Sequence, residues 1–588
     1  MQTNGSARRR RWLGITGWAV AFGAATAAMV LGWRLFWFLT DDAYITFRYV
    51  SNSHLGWGLV WNPPPFHPVE GYTSFLWAVL LAAVWKIAGV DPPSSANVIS
   101  LLCGLGQLTL VALFVRRMRL PERLEKWRLP LFVLVVAGVL SNRTFLTWLS
   151  SGLETALFNV LLLWWVFEGT AARERKTGWW VTRLSLSAAL LALTRPDGYL
   201  FVLATLAIVI GRQAKRIELR LDDPEPHVRV PLREPNHVGR TWLHALPLML
   251  VPAHLVWRRL TYGLWLPNTY YAKHVQPWPE SGLRYLGSFV VEYGLWVWAL
   301  LALGATIALA VPFVRRRGWL HERVPSHPVI VVGAVAAHFL YYTLMIGGDH
   351  FEYRVYSDLV PLLWLSALWL LTRVCARPWP VAAALIFFLL ASLPVQWTAY
   401  EATKQYITRA DTFGLSQPIA EKFPAVARPI IKRWDGWQKW LIEHSVCRRH
   451  QEHKAYWLYQ VARYPERAVG AKIKWEQRAV LQAPCVGVIG WVLPEVAILD
   501  TLGLNDRVVA KNPVIFYQSR KMAHDRKPPR GYVECFEPNV KINTRLTRRH
   551  LPPKRSRPWF RFTAREQPLT DERIRACEEK FWRFMTGW

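Results

Sequence analysis

No P-loop, GxGxxG, HExxH or GxSxG motif occurs in the 588 residues. The sequence therefore offers no phosphate cradle, dinucleotide turn, zincin helix or nucleophile elbow, and soluble nucleotide-driven chemistry has no support. Cysteine is scarce, at six, and none of them forms a CxxC pair, which speaks against a zinc site. Neither a solenoid-type repeat nor an inverted repeat is evident, and transporters are commonly built from the latter. The basic start, Arg8 to Arg11, leads into an apolar run without a small-residue cleavage site before Asp41. That run is nearly twice the length of a signal-peptide core, so it reads as a retained helix with a cytoplasmic N-terminus.

Apolar residues make up 52% of the chain, and Trp occurs 34 times. Apolar segments at 12–39, 72–88, 97–115, 129–147, 155–168, 180–210, 241–260, 287–313, 328–346, 359–373 and 378–396 recur through the first 400 residues. Many are long enough to cross a bilayer, so the chain is expected to be a mainly α, polytopic membrane protein with about 10–11 apolar helices. The net charge of +32 lies largely in short loops, where it reports topology and not nucleic-acid binding. Clusters at Arg116 to Arg128, Arg173 to Lys176, Arg212 to Arg216, Arg315 to Arg317 and Arg373 to Arg377 are expected on the cytoplasmic side. Loops 40–71, 141–154, 261–284 and 347–358 then face the other side.

Two adjustments keep every basic cluster inside. Segment 72–88, aromatic at its start, lies flat on the outer interface. Segment 180–210, interrupted by "LTRPDGYLF", forms a re-entrant hairpin. Residues 1–400 form the membrane domain, and 401–588 a separate α/β domain on the outer side. In the latter, 401–480 has a helical pattern, whereas "CVGVIGW" and "VAILD" read as short buried strands. Cys447, Cys485, Cys535 and Cys577 either pair as two disulfides in one of three ways or remain free. The basic-aromatic tail "TRRHLPPKRSRPWFRF" suits either anionic headgroups or solvent.

The outer loops collect carboxylates and cations. They carry Asp41, Asp42, Arg48, His67 and Glu70; Glu154; Arg195 and Asp197; Asn268, Tyr270, Tyr271 and Lys273; and Asp349, His350 and Arg354. Transfer of a sugar from a lipid phosphate to a hydroxyl needs both charges. The departing phosphate wants cations, and the acceptor hydroxyl wants a carboxylate as general base. Asp41 and Asp42 are the candidate catalytic acids, and which of them serves as base stays open. Asp41 reads equally as the N-cap of the following helix. Arg195 and Asp197 read equally as a structural pair, and Asp349–His350 as a turn.

"DDAYITFRYVSNSHLGWGLVWNP", "VEGYTSFLW", "SSGLET", "LTRPDGYLF", "LPNTYYAK", "GGDHFEYRVYSDLVPLL" and "ILDTLGLND" together resemble the bacterial GT-C glycosyltransferases of the terminal β-(1→2)-arabinofuranosyltransferase family. The resemblance implies a GT-C helix bundle in the bacterial inner membrane. It also implies an inverting transfer from a polyprenyl-phosphate sugar, arabinofuranose being favoured, to an envelope glycan, lipopolysaccharide or glycoprotein. It makes an acid of the first loop the base. Some GT-C enzymes use a divalent ion, for which Asp41, Asp42 and Glu70 are the candidate ligands. A mannosyl or hexosyl transferase of the same fold and a lipid-linked-sugar transporter are the alternatives.

Overall fold

The computed structural model describes residues 3–171, 178–221, 237–273, 276–315, 326–514, 520–522, 525–543 and 559–586. The basic residues 172–177 and 316–325, and the tail through 558, lie outside that set. Helices dominate, as expected. Among the described residues, five are long and apolar enough to cross a membrane: Ile15–Leu35, Pro92–Arg117, His327–Ile346, Arg354–Val374 and Pro378–Thr403.

Three sequence readings change. Segment 287–313 is no single span: helices Pro279–Glu292 and Leu295–Ala308 meet at 90°. Gly294 makes the corner at φ 60°, and a Cβ there would lie 2.7 Å from the Ala391 carbonyl oxygen. Segment 180–210 is a hairpin, broken at Pro196–Gly198 as expected, whose arms Gly178–Thr194 and Tyr199–Leu221 extend beyond the bounds read from the sequence. With 17 and 23 residues they measure about 25 and 35 Å. Arg195 is extended before Pro196, as a pre-proline residue must be, and Gly198 abuts the Leu191 carbonyl, where a Cβ would sit 2.4 Å away. The hairpin keeps both ends on one side and its "TRPDG" tip on the other.

The third change concerns the C-terminal region. "VAILD" is a strand, but "CVGVIGW" supplies the buried helix Gly487–Val492. A short apolar run does not distinguish the two. The strand that pairs in parallel with Ala497–Asp500 lies just before it, at Val480–Ala483. The region preceding it is helical, with Arg428–Glu443 and His450–Arg463. Cys535 and Cys577 form a disulfide, whereas Cys447 and Cys485 are free thiols.

The C-terminal region shares a hydrophobic core with the first loop. Tyr49 and Trp61 pack in one cluster with Ile489, Trp491 and Ile498. All the acid-bearing loops meet at this end of the bundle. Leu39 pairs with Ser151, Phe351 with Arg448, and Asn268 binds the Gly503 carbonyl. Helix Pro92–Arg117, 26 residues long, carries the Arg116–Arg128 stretch about 39 Å away to the opposite end.

Candidate active site

The helix Asp41–His54 begins where the first membrane helix releases the chain. Its N-cap is Thr40, whose Oγ1 accepts from the Ala43 amide at 3.2 Å, so Asp41 is not the cap. The Asp41 carboxylate instead accepts from the Val488 amide at 2.9 Å and the Gly487 amide at 3.3 Å. Burial pushes its pKa up to about 7 against the lowering effect of those amides, and Asp42 beside it raises it further. Asp42 is half-buried and, among the described residues, has no hydrogen-bond or ion-pair partner. The two adjacent acids are thus unlike: one anchored, one uncommitted.

Several expected binding residues serve the architecture. Arg48 is fully buried and spends its guanidinium on the carbonyls of Trp61, Gly490, Leu493 and Val496 at 2.7 to 2.9 Å. It staples the first loop to the C-terminal region and points at no open space. Asn268 donates its Nδ2 to the carbonyls of Gly503, Leu504 and Asp506. Glu70 is held bidentately by Arg258 at 2.5 and 3.1 Å. Burial raises the Glu70 pKa to about 7, with Arg258 opposing. His67 gives its backbone amide to Glu578, and burial pushes its ring down to about 4. His67, Glu70 and Asn268 border a cavity of about 140 Å³ with Tyr262, Arg507 and Trp582, and neither Asp41 nor Asp42 reaches it. Tyr270 and Tyr271 meet edge to face, and Lys273 is exposed nearby.

The "TRPDG" tip, the "GGDHFEYR" loop and Glu154 do come together. Arg195 donates through Nε to Asp197 at 3.2 Å and through Nη2 to the Tyr342 hydroxyl. The other Asp197 oxygen takes Tyr342 at 3.0 Å and His338 at 2.8 Å. Arg354 pairs with Asp349 at 2.7 Å. Arg195, Arg354 and Glu154 lie within electrostatic reach of one another. The Nη1 groups of both arginines have no partner among the described residues, which leaves two charged donors for an anionic oxygen. His350 Nδ1 meets the Ser445 carbonyl at 2.7 Å. A ring chain connects this centre to the acids: Arg354 lies over Phe351, Phe351 meets Trp148, and Trp148 meets Phe38, three residues before Asp41.

The sequence places Arg143 and Glu352 among the charged residues of the outer loops, but nothing in it points to Glu292 and Arg449 or to the buried set that the four form. Arg143 bonds Glu352 at 2.6 Å, and Arg449 bonds Glu352 at 2.7 Å and Glu292 at 3.1 Å. Burial would raise the Glu352 pKa, but the two guanidiniums hold it at about 2. Glu292 and Arg449 lie on separate elements 157 residues apart, so no local signal joins them. Tyr342 and His338 were also missed, although their spacing of four on one helix places them on one face. Among the described residues no three metal-ligating side chains gather. Of the candidate ligands, Glu70 is committed to Arg258 and Asp41 to amides, which leaves only Asp42 without a partner among the described residues.

No family model matches the chain, and no curated protein matches it. Its structure is similar to that of ArnT from Cupriavidus metallidurans bound to undecaprenyl phosphate, at 11% identity and a TM-score of 0.48 over 82% of this chain and 86% of ArnT. The apo form of ArnT aligns over the same shares at 12% identity and a TM-score of 0.43. The arabinosyltransferase EmbB from Mycobacterium smegmatis aligns at 12% identity and a TM-score of 0.34, over 76% of this chain and 41% of EmbB. The chain spans less than half of EmbB's length. At these values the likeness says nothing of substrate or reaction.

Proposed function

We propose that this protein is a membrane glycosyltransferase of the GT-C type. It moves a sugar, arabinofuranose in the favoured reading, from a polyprenyl phosphate to a hydroxyl of an envelope glycan on the outer face of the inner membrane. The observation that carries the reading is that a carboxylate, Asp42, and one Nη1 on each of Arg195 and Arg354 are left without partners among the described residues, while the rest of each guanidinium is held by Asp197, Tyr342 or Asp349. The disulfide Cys535–Cys577 supports an oxidising compartment for that end.

In this reading the acceptor hydroxyl gives its proton to Asp42 as its oxygen bonds to the anomeric carbon. The bond from that carbon to the phosphate oxygen breaks on the opposite face, which inverts the centre. The electron pair leaves with the phosphate, and Arg195 and Arg354 receive its charge. Phosphate is a good leaving group, so no general acid is required. Asp41, already saturated by amides, holds the start of the helix. No step passes through a metal ion.

The test supplies the full chain in membranes with radiolabelled polyprenyl phosphates of arabinofuranose, mannose and glucose. Label in an envelope glycan from the arabinofuranose donor is the expected result. Label from a hexose donor alone would replace the sugar assignment. Movement of intact donor across vesicles without any glycan product would favour the transporter reading.

A further inference from the structure

Glu154 opens the helix Thr155–Thr170 without capping it, and its carboxylate has no hydrogen-bond or ion-pair partner among the described residues. The residue is only 7% exposed, and an unpaired charge at that depth is costly. Asp358 is as deeply buried, but its oxygens are sealed in protein, with His338 3.7 Å away. The Glu154 oxygens are not sealed. Two sets of attachments fix where Glu154 stands. On one side, the loop before it is laced to the chain that leads into the two acids. The Ser151 amide donates to the Phe38 carbonyl at 3.0 Å, and the Thr40 amide and hydroxyl donate to the Ser151 carbonyl at 2.9 and 3.2 Å. Gly152, at φ 76°, has no room for a side chain, since a Cβ would lie 2.8 Å from the Cβ of Ala43, the residue after Asp42. On the other side, the Arg195 guanidinium carbon lies 5.0 Å from the ring centre of Phe158, one turn along the same helix face from Glu154. Asn159 donates to the Ser357 hydroxyl at 3.0 Å, and that hydroxyl donates to the Arg354 carbonyl at 2.7 Å. Glu154 therefore stands between the head of helix Asp41–His54 and the two arginines.

We infer that Glu154 holds the donor sugar, accepting hydrogen bonds from its ring hydroxyls between the Asp42 carboxylate and the phosphate on the two arginines. This rests on the reading of Asp42 as base and of Arg195 and Arg354 as the phosphate's partners. The sign of the charge decides which part of the donor Glu154 meets. A carboxylate repels a phosphate and can only accept, and hydroxyls are the donor groups that a sugar offers. As the bond to the phosphate lengthens, positive charge grows on the sugar ring, and a carboxylate alongside favours that change. A sugar that lacks the hydroxyl in question leaves the buried charge unpaired, so Glu154 selects the donor.

The experiment uses the full chain in membranes and polyprenyl phosphates of the sugar that the wild type transfers and of its monodeoxy analogues. The readout is the ratio of kcat/KM between parent and analogue. Wild type is expected to prefer the parent over at least one analogue by roughly 30-fold, the worth of a hydrogen bond to a charged group. Glu154→Ala should lose a similar factor with the parent donor and little with that analogue, so the preference vanishes. Glu154→Gln, which keeps the shape and one acceptor oxygen, should fall between the two, and it carries the test if the alanine variant does not fold. A wild type blind to every missing hydroxyl would overturn the proposal. So would a preference that survives in both variants, because a purely structural part, or a base, loses equally with all donors. The two readings fail separately. Full transfer by Asp42→Asn sinks the base and this assignment with it. An inactive Asp42→Asn beside an intact donor preference in the Glu154 variants sinks this assignment alone.

Discussion

Two charged centres lie at the same end of the helix bundle, and they are finished differently. In the set Arg143, Glu292, Glu352 and Arg449, two guanidiniums meet two carboxylates, and all four side chains are at most 7% exposed. At the head of helix Asp41–His54, two acids stand side by side with no cation among the described residues bonded to either. One takes backbone amides and the other takes nothing. The first centre locks the C-terminal region to the bundle. The second leaves the Asp42 carboxylate without a partner among the described residues. Burying charge is common to both, and the difference lies in what is left over after the protein's own partners are counted.

The strongest way to break the comparison is to unbalance the closed set. Arg449→Met strands Glu292 and Glu352 with Arg143 alone, at a cost of roughly 3–5 kcal/mol. Melting of the full chain in detergent should fall by several degrees or more, and an unchanged transition would show that the set is not a structural lock. Arg354→Gln probes the other side of the contrast. In the proposed reading it removes a donor for the leaving phosphate, so kcat should fall by about 10²–10³ with little change in melting. A loss of fold in place of kcat would move Arg354 into the structural class.

Acid titration separates the two centres by sign. The Glu352 pKa lies below its ordinary 4.5, at about 2, so its contribution is present above 4.5 and is lost as pH falls towards 2. The Asp41 pKa lies above its ordinary 3.8, at about 7, so it costs stability as pH rises from about 4 to 7. Asp41→Asn should therefore be stabilised relative to wild type at pH 8 more than at pH 4. Equal shifts at both values would mean that the Asp41 carboxylate is not strained by its burial.

What was legible in the sequence was local. The Asp41–Asp42 pair and "GGDHFEYR" each sit at the end of an apolar segment, "TRPDG" breaks one in the middle, and alternating sides put all three on one face. The amide partners of Asp41 were not legible, because Gly487 and Val488 lie in an apolar run whose helix or strand state the pattern leaves open. Arg48 and Asn268 looked like substrate ligands, since a charged or amide side chain in an outer loop carries no mark of the carbonyls it will meet. Apart from that of Trp61, those carbonyls belong to residues 490–506, folded back from the far end of the chain. The bend at Gly294 was hidden for another reason: an apolar run keeps its composition through a corner.

The most direct measurement compares wild type with Asp42→Asn and Asp41→Asn in the same membranes, following transfer of labelled sugar from a polyprenyl phosphate alongside binding of that lipid. The account predicts that Asp42→Asn loses transfer by about 10²–10⁴, the range of a general base, while lipid binding stays within twofold and Asp41→Asn retains measurable activity. Full transfer by Asp42→Asn, or a complete loss confined to Asp41→Asn, would contradict it.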